Sequence, residues 1–130
     1  MALREFLRLS VYTPIDEADD SSCSDAEFGR SVQTTLRVLR EFDFVGSVGT
    51  YKAVAEISKG VETFTPTHAS TPTHGTPDIL SIVPSARLVT YLPKTVSDEE
   101  LRRLIHEIVT SHPWEHPVIE VDRVFLWMPA

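Results

Sequence analysis

A seven-residue segment occurs twice in this 130-residue chain and limits the ways in which the chain can fold. Arg8–Pro14 recurs as Arg87–Pro93, and four of the seven positions are identical. Each copy is rich in β-branched and aromatic residues and ends in a proline, which cannot continue a hydrogen-bonded ladder. Each copy therefore predicts a strand that leads into a loop, and the chain is predicted to consist of two similar halves.

A matching helix signal follows each of these strands. Ser24–Glu27 and Ser97–Glu100 both have a serine with a glutamate three residues later. In such a capping box the serine hydroxyl accepts from the third amide, and the glutamate accepts from the serine amide. The two boxes predict that a helix begins at the corresponding place in each half.

Apolar residues then recur at helical spacing. In the second half they are Leu101, Leu104, Ile105, Ile108 and Val109. In the first half they are Phe28, Val32, Leu36 and Leu39. Both sets line one face of a helix, as expected for amphipathic helices packed on a sheet.

A second strand is predicted after each helix, over Thr50–Ile57 and over Val118–Trp127. The order β-α-β occurs twice, and right-handed crossovers place both helices on one side of a single sheet. We therefore predict one α+β domain over 1–130, a ferredoxin-like double β-α-β sandwich. Its first unit spans about 7–57 and its second about 86–127. The other face of the sheet would stay uncovered in a monomer, and an apolar open face favours oligomers.

The segment 58–85 separates the two predicted units. It contains four prolines and the near-repeat Thr65–His68 and Thr71–His74. Loops of this length are uncommon inside compact domains and often serve function or oligomer contacts. A long arm and a partly ordered surface loop are both compatible with the sequence.

Composition excludes several functional classes. The net charge is −7, with 12 basic against 19 acidic residues, which argues against a nucleic-acid surface. The one cysteine, Cys23, cannot form an internal disulfide, so a reducing compartment is expected. The longest apolar run, Val124–Met128, is far too short to span a bilayer. We expect a cytoplasmic protein with no membrane or nucleic-acid partner.

Four segments resemble parts of a known domain. His112–Pro117 resembles the His-Pro-Tyr-Glu-Glu-Pro signature that closes the small inserted domain of the NGG-interacting-factor-three-like family. Val45–Tyr51 resembles the Gly-x-Ile-Gly-Asn-Tyr turn of that domain, and Glu62–Pro66 resembles its Gly-x-Phe-x-Pro segment. His74-Gly75 lies where the family has Ile-Gly. The segments occur in the family's order, from about Leu7 to Leu126.

The resemblance implies a ferredoxin-like domain similar to CutA and, more remotely, to PII signalling proteins, which form homotrimers. It therefore implies self-association, as a homodimer or a homotrimer. Longer family members carry metal ligands in two flanking lobes, and this chain has no positions that match those lobes. Their metal and catalytic residues cannot be transferred, and the second acid of the signature is His116 here.

The densest group of candidate metal ligands is His112, Glu115 and His116. Imidazole and carboxylate groups are ligands for zinc, copper or nickel, and His68 and His74 could complete a site for a divalent transition metal. The alternative is that His112 ends its helix through the helix dipole and hydrogen bonds to the last carbonyls. For His68 and His74, the alternative is that they are loop histidines that contact only solvent.

A candidate ligand-binding turn lies around Gly46, Ser47, Gly49, Thr50 and Tyr51. Backbone amides and hydroxyl groups in such a turn can hold an anion or a small polar ligand. The alternative is a tight turn in which the glycines adopt positive φ.

These observations favour a non-catalytic, homo-oligomeric binding or regulatory module. No catalytic residue is predicted, because Cys23 lies among acids that raise a thiol pKa and no nucleophile elbow is present. The alternative is a metal-binding protein, or a metal-dependent hydrolase-like enzyme, that uses His112, Glu115 and His116. A third hypothesis is a module that docks on a larger protein partner.

Overall fold

A computed structural model describes residues 2–16 and 28–129 of the chain. The elements in chain order are β1 (Ala2–Pro14), α1 (Arg30–Arg40), β2 (Ala55–Phe64), β3 (Ser81–Pro93), α2 (Asp98–Ser111) and β4 (Ile119–Met128). The four strands form one antiparallel sheet in the order β2-β3-β1-β4. The predicted ferredoxin-like α+β fold is confirmed.

The two copies of the repeated segment are neighbours in this sheet. They form the central strands β1 and β3, in which Arg8 lies opposite Tyr91 and Tyr12 lies opposite Arg87. The other two ladders join β1 to β4 and β2 to β3.

The core lies between the sheet and the two helices. It is filled by alternate residues of β1 and β3 and by the apolar stripes of both helices. These residues include Leu9, Val11, Leu88, Leu92, Val32, Leu36, Leu39, Leu104 and Ile108. Alternation along a strand places Arg8, Ser10, Tyr12 and Arg87 on the opposite, open face of the sheet.

One of the two predicted capping boxes, the one at Ser97, lies within the described residues. At α2 the capping box is present: the Glu100 amide donates to Ser97 Oγ at 3.0 Å, and the Ser97 amide donates to Glu100 Oε1 at 3.0 Å. These two bonds lower the pKa of Glu100. The predicted box at 24–27, like Cys23, lies outside the described residues. Helix α1 begins at Arg30, and its Ser31 amide donates to Asp16 Oδ2 at 3.0 Å.

The strands that flank the middle segment are longer than the sequence pattern predicts. Residues 58–64 continue β2, and residues 81–85 belong to β3. The ladder runs to the pair Phe64 and Ser81, so only 65–80 is a loop. Strand β2 begins at Ala55 instead of Thr50, because residues 48–51 form a turn.

Neither α1 nor α2 has the length and apolar character of a membrane span, and the described ranges contain no other helix that does.

Candidate functional site

The loop between α2 and β4, residues 112–118, contains three of the predicted metal ligands. It lies beside the end of β1, where the Tyr12 amide donates to the Val118 carbonyl at 3.1 Å. The predicted set also includes two histidines of the loop 65–80.

His112 is buried and forms the C-cap of α2, with its amide donating to the Val109 carbonyl at 3.3 Å. Its ring Nε2 lies 2.6 Å from the Tyr12 carbonyl oxygen. Its Nδ1 accepts from the Trp114 amide at 3.0 Å. Because a carbonyl only accepts and an amide only donates, Nε2 carries the ring proton and Nδ1 carries none.

This arrangement favours the neutral imidazole. Burial lowers the pKa of His112, and the hydrogen bond to Tyr12 partly opposes that shift. The one free lone pair of a neutral imidazole is the pair on Nδ1, and the Trp114 amide occupies it. His112 thus joins the end of α2 to the Tyr12 carbonyl of β1. Its ring bonds go to Tyr12 and Trp114 and not to the last carbonyls of its own helix, and its role as a metal ligand stays a prediction.

Glu115 joins the 112–118 loop to the loop 65–80. Its carboxylate accepts from the Thr71 amide at 2.9 Å and from Thr71 Oγ1 at 3.0 Å. In a second contact between the two loops, Thr73 Oγ1 donates to the Pro113 carbonyl. The two loops therefore meet, as a shared metal site would require, but threonines make the contacts.

The remaining histidines point to separate places. His116 is exposed. His68 is exposed and pairs with Asp78 within its own loop. His74 lines a shallow hollow with Pro14, Ile15 and Pro84. Across residues 2–16 and 28–129, no three His, Cys, Asp or Glu side chains are grouped closely enough to hold a metal ion. The metal site stays a prediction.

The glycine turn is built by backbone hydrogen bonds. Gly46 has φ +73°, donates its amide to the Tyr91 carbonyl at 2.8 Å and accepts from the Val54 amide at 3.0 Å. Val48 and Tyr51 exchange two backbone hydrogen bonds of 3.0 Å around Gly49, which has φ +58°. The expectation of a tight turn with positive φ is confirmed.

The same bonds reduce what this turn can offer a ligand. The amides of Gly46 and Tyr51 already have partners, and Ser47 Oγ donates to the Asp43 carbonyl at 3.0 Å. Gly49, Thr50 and Tyr51 are exposed at the tip. Binding at this turn stays a prediction.

The open face of the sheet carries polar pairs beside apolar side chains, since Phe6, Val89 and Val124 share it with Arg8 and Ser10. Arg8 and Asp122, opposite each other on β1 and β4, form two contacts of 2.7 and 3.2 Å. Arg87 Nη2 donates to Ser10 Oγ at 3.2 Å. The pKa of Tyr12 is raised mainly by its hydrogen bond to Glu120 and then by burial. Polar pairs thus cover part of this face, and the expectation that it favours oligomers stays a prediction.

Exposed apolar side chains occur at both ends of the sheet. Val61, Leu80 and Ile82 lie at the end next to the loop 65–80, and a second group, which includes two aromatic rings, lies at the other end. Beyond the last pair of β1 and β3, the first residues of β1 pair only with β4 and form a two-stranded ribbon. Leu3 lies opposite Trp127, and Phe125 shares their face. Their exposed fractions are 59%, 63% and 64% in the order Leu3, Trp127, Phe125. We call these three residues the ribbon surface.

Sequence reasoning missed the two threonines that join the loops. Thr71 and Thr73 belong to the near-repeat that was noted for its histidines, and no sequence signal separates a threonine that binds a neighbouring loop from one that contacts solvent. Of the ribbon surface, Trp127 ends the strand predicted over Val118–Trp127, and an aromatic residue at that place suits an oligomer contact.

Comparison with known proteins supports the fold. No protein-family model matches the chain, and no curated protein matches it. A Bacillus cereus protein related to NIF3 matches in structure with a TM-score of 0.63 and 21% identity, over 95% of this chain. The chain shares the fold of part of that protein. It spans only 27% of that protein's length.

A second solved structure has a similar fold and a comparable length. It is a phage SAM lyase in complex with S-methyl-5′-thioadenosine, with a TM-score of 0.53 and 10% identity. The match covers 93% of this chain and 88% of the lyase. At this identity the likeness concerns the fold, and the resemblance to the NIF3-related protein agrees with the sequence motifs.

Proposed function

We propose that this chain is a self-associating binding module without a catalytic centre of its own. The observation that carries the proposal is the ribbon surface of Leu3, Phe125 and Trp127, three large apolar side chains exposed on one face. Contiguous exposed apolar side chains are typical of protein interaction sites, and aromatic residues are enriched in their centres.

The backbone of the ribbon supports the same role. Strand β4 is at an edge of the sheet and pairs with β1 alone. Its outer backbone groups can pair with a strand of a second copy, in a homodimer or a homotrimer. A second copy is therefore the partner that we propose for this surface, and docking on a larger protein is the competing outcome.

The titratable groups support a non-catalytic role. Perturbed pKa values often mark catalytic residues. Here the shifts of His112, Tyr12, Arg8 and Glu100 are each accompanied by a structural hydrogen bond. Glu62 is the exception, since burial alone raises its pKa.

Sedimentation velocity over a range of concentrations tests the proposal. We expect the unmodified chain to associate and the Leu3→Ser, Trp127→Ser double variant to remain monomeric at the same concentrations. Ile79→Ser is the matched control, because Ile79 is also an exposed apolar residue, at 58%, but lies in the loop 65–80. A chain that is monomeric at every concentration, or one whose association is unchanged in the double variant, would overturn the proposal.

A further inference from the structure

Two exposed apolar surfaces lie at opposite ends of the sheet, and β3 runs from one end to the other. Strand β3 begins at Ser81, opposite Phe64, and ends at Pro93, opposite Phe6. The ribbon surface lies beyond Pro93. The second surface lies near Ser81 and consists of Val61, Leu80 and Ile82, which are 67%, 63% and 65% exposed. We call these three residues the arm surface.

Both surfaces continue the apolar layer on the helix side of the sheet. Side chains alternate along a strand, so Leu3 shares the side of the core residue Leu9, and Ile82 shares the side of the core residue Leu88. The ladder of β2 and β3 places Val61 on the same side. The core side chains between the two surfaces are buried, whereas both surfaces are exposed. Each surface is thus a part of the apolar layer that neither α1 nor α2 covers.

Each surface also adjoins a free edge of the sheet. Phe125 and Trp127 belong to β4, and Val61 belongs to β2. Among residues 2–16 and 28–129, β2 and β4 are the edge strands, and each pairs with one neighbour. A free edge can extend its sheet by pairing with a strand of another chain. The ribbon of one copy and the β2 edge of another therefore offer each other both apolar side chains and backbone groups.

Positive charge predominates beside the ribbon surface. The two strands of the ribbon contain Arg4, Glu5 and Arg123. Glu5 lies on the helix side and pairs with Arg123 and with Lys94, at 3.8 and 3.1 Å. Arg4 lies on the other side of the same strand. With three cations and one carboxylate, this group carries a net charge of +2.

Negative charge predominates in the arm, residues 58–85. Its charged side chains are Lys59, Glu62 and Asp78, which give a net charge of −1 when the histidines are neutral. Glu115 adds a further carboxylate, since it accepts two hydrogen bonds from Thr71 of the arm. Two ribbons in contact would bring like charges together, whereas a ribbon and an arm bring opposite charges together. The charges therefore favour contact between unlike ends of two copies.

We propose that the ribbon surface of one copy binds the arm surface of another, so that the copies associate head to tail. The side chains of Leu3, Phe125 and Trp127 pack on those of Val61, Leu80 and Ile82, and each chain uses both surfaces. Contacts of this kind either close into a ring or pair reciprocally in a dimer. The inference rests on the proposed self-association and assigns the second surface that this association uses.

Complementation between two variants tests this arrangement. The ribbon variant is Leu3→Ser, Trp127→Ser, and the arm variant is Val61→Ser, Ile82→Ser. We expect each variant to sediment as a monomer on its own. An equimolar mixture should form a dimer with one chain of each, which native mass spectrometry identifies by mass, because the intact ribbon of one variant binds the intact arm of the other. Val109→Ser, an exposed apolar position on α2, is the control and should associate as the unmodified chain does.

The outcomes separate this inference from the proposed function. Both variants should keep the far-ultraviolet circular dichroism spectrum of the unmodified chain. An arm variant that associates normally, while the ribbon variant does not, would overturn the head-to-tail arrangement and leave self-association through the ribbon intact. A mixture that stays monomeric would also overturn the arrangement. A ribbon variant that associates normally would overturn the proposed function itself.

A charge variant tests the arrangement without altering an apolar side chain. Lys94 is 70% exposed, so Lys94→Glu should not disturb the fold. Head-to-tail contact predicts that Lys94→Glu weakens association several-fold, and that raising the salt from low to physiological ionic strength weakens association of the unmodified chain. Contact between two ribbons predicts stronger association in both cases, since repulsion between like charges is relieved. Stronger or unchanged association in either measurement would overturn the proposal.

Discussion

The ring of His112 lies 2.6 Å from the carbonyl oxygen of Tyr12, a residue 100 positions earlier in the chain. The contact connects the end of α2 to the end of β1. Because the same ring also accepts from the Trp114 amide, the neutral form of His112 satisfies two backbone groups at once. A charged ring would lose the second bond.

The stability of the protein should therefore depend on the protonation of His112. Burial lowers its pKa in the folded chain below the ordinary value of 6.5, so the unfolded chain takes up the proton at higher pH. The contribution is complete above about pH 6.5 and is lost as the pH falls towards the folded pKa. Urea unfolding at pH 7.5 and at pH 5.5 should show the decrease.

A variant isolates this effect from other titrating groups. His112→Gln should give a smaller difference in unfolding free energy between the two pH values, although its stability at pH 7.5 is lower. His106→Gln, at an exposed position on α2, should keep the difference of the unmodified chain. Equal pH dependence in all three proteins would contradict the assignment to His112.

Substitution of Gly46 should destabilise the fold strongly. Gly46 has φ +73°, and a Cβ there would lie 2.5 Å from the Val54 amide nitrogen. Gly46→Ala should cost about 2 kcal/mol or more, because the alanine would be strained and would clash with backbone. Gly60→Ala is the control, since nothing lies within 4 Å of a Cβ at that position. Thermal unfolding measures both, and similar losses for the two variants would refute the explanation.

The contact between Glu115 and Thr71 should restrain the loop 65–80. Both hydrogen bonds are exposed, so their coupling free energy in a double-mutant cycle of Glu115→Gln and Thr71→Val should be small, below about 1 kcal/mol. Hydrogen exchange is the more sensitive measurement. The Thr71 amide should exchange faster in Glu115→Gln and at an unchanged rate in Glu107→Gln, and protection that survives Glu115→Gln would contradict this role.

Metal content decides between the binding module and the metal-binding alternative. We expect protein purified without chelator to contain metal well below one ion per chain by elemental mass spectrometry, because both ring nitrogens of His112 have protein partners. Near-stoichiometric zinc, copper, nickel or iron that disappears in His112→Ala, His116→Ala protein would contradict this expectation and favour a metal site.

Local patterns predicted the fold because they repeat. The copies at Arg8–Pro14 and Arg87–Pro93 became the two central strands, and the capping box at Ser97 formed as expected. The length of β2 could not be predicted in the same way. Residues 58–64 include Gly60 and two charged side chains, and they are held in a strand by pairing with β3, a contact that is not local in sequence.

The candidate site was predicted less well than the fold, for a related reason. Residue type identified His112, Glu115 and His116 as groups capable of binding metal. Whether they bind a metal depends on which other groups lie close to them in the fold. Trp114 and Tyr12 occupy the nitrogens of His112, and Thr71 occupies the carboxylate of Glu115. These partners come from backbone positions and from a loop over forty residues away, and no spacing rule indicates them.

The three ladders of the sheet, β2 with β3, β3 with β1 and β1 with β4, each join a strand of the first half to a strand of the second. Among residues 2–16 and 28–129 no ladder lies within one half, so the strands described for either β-α-β unit do not pair with each other. During synthesis, β1 has no strand neighbour until β3 has emerged from the ribosome. A chain cut within the loop 65–80 would yield two fragments that fold only by finding each other, so the repeated halves behave as one cooperative unit.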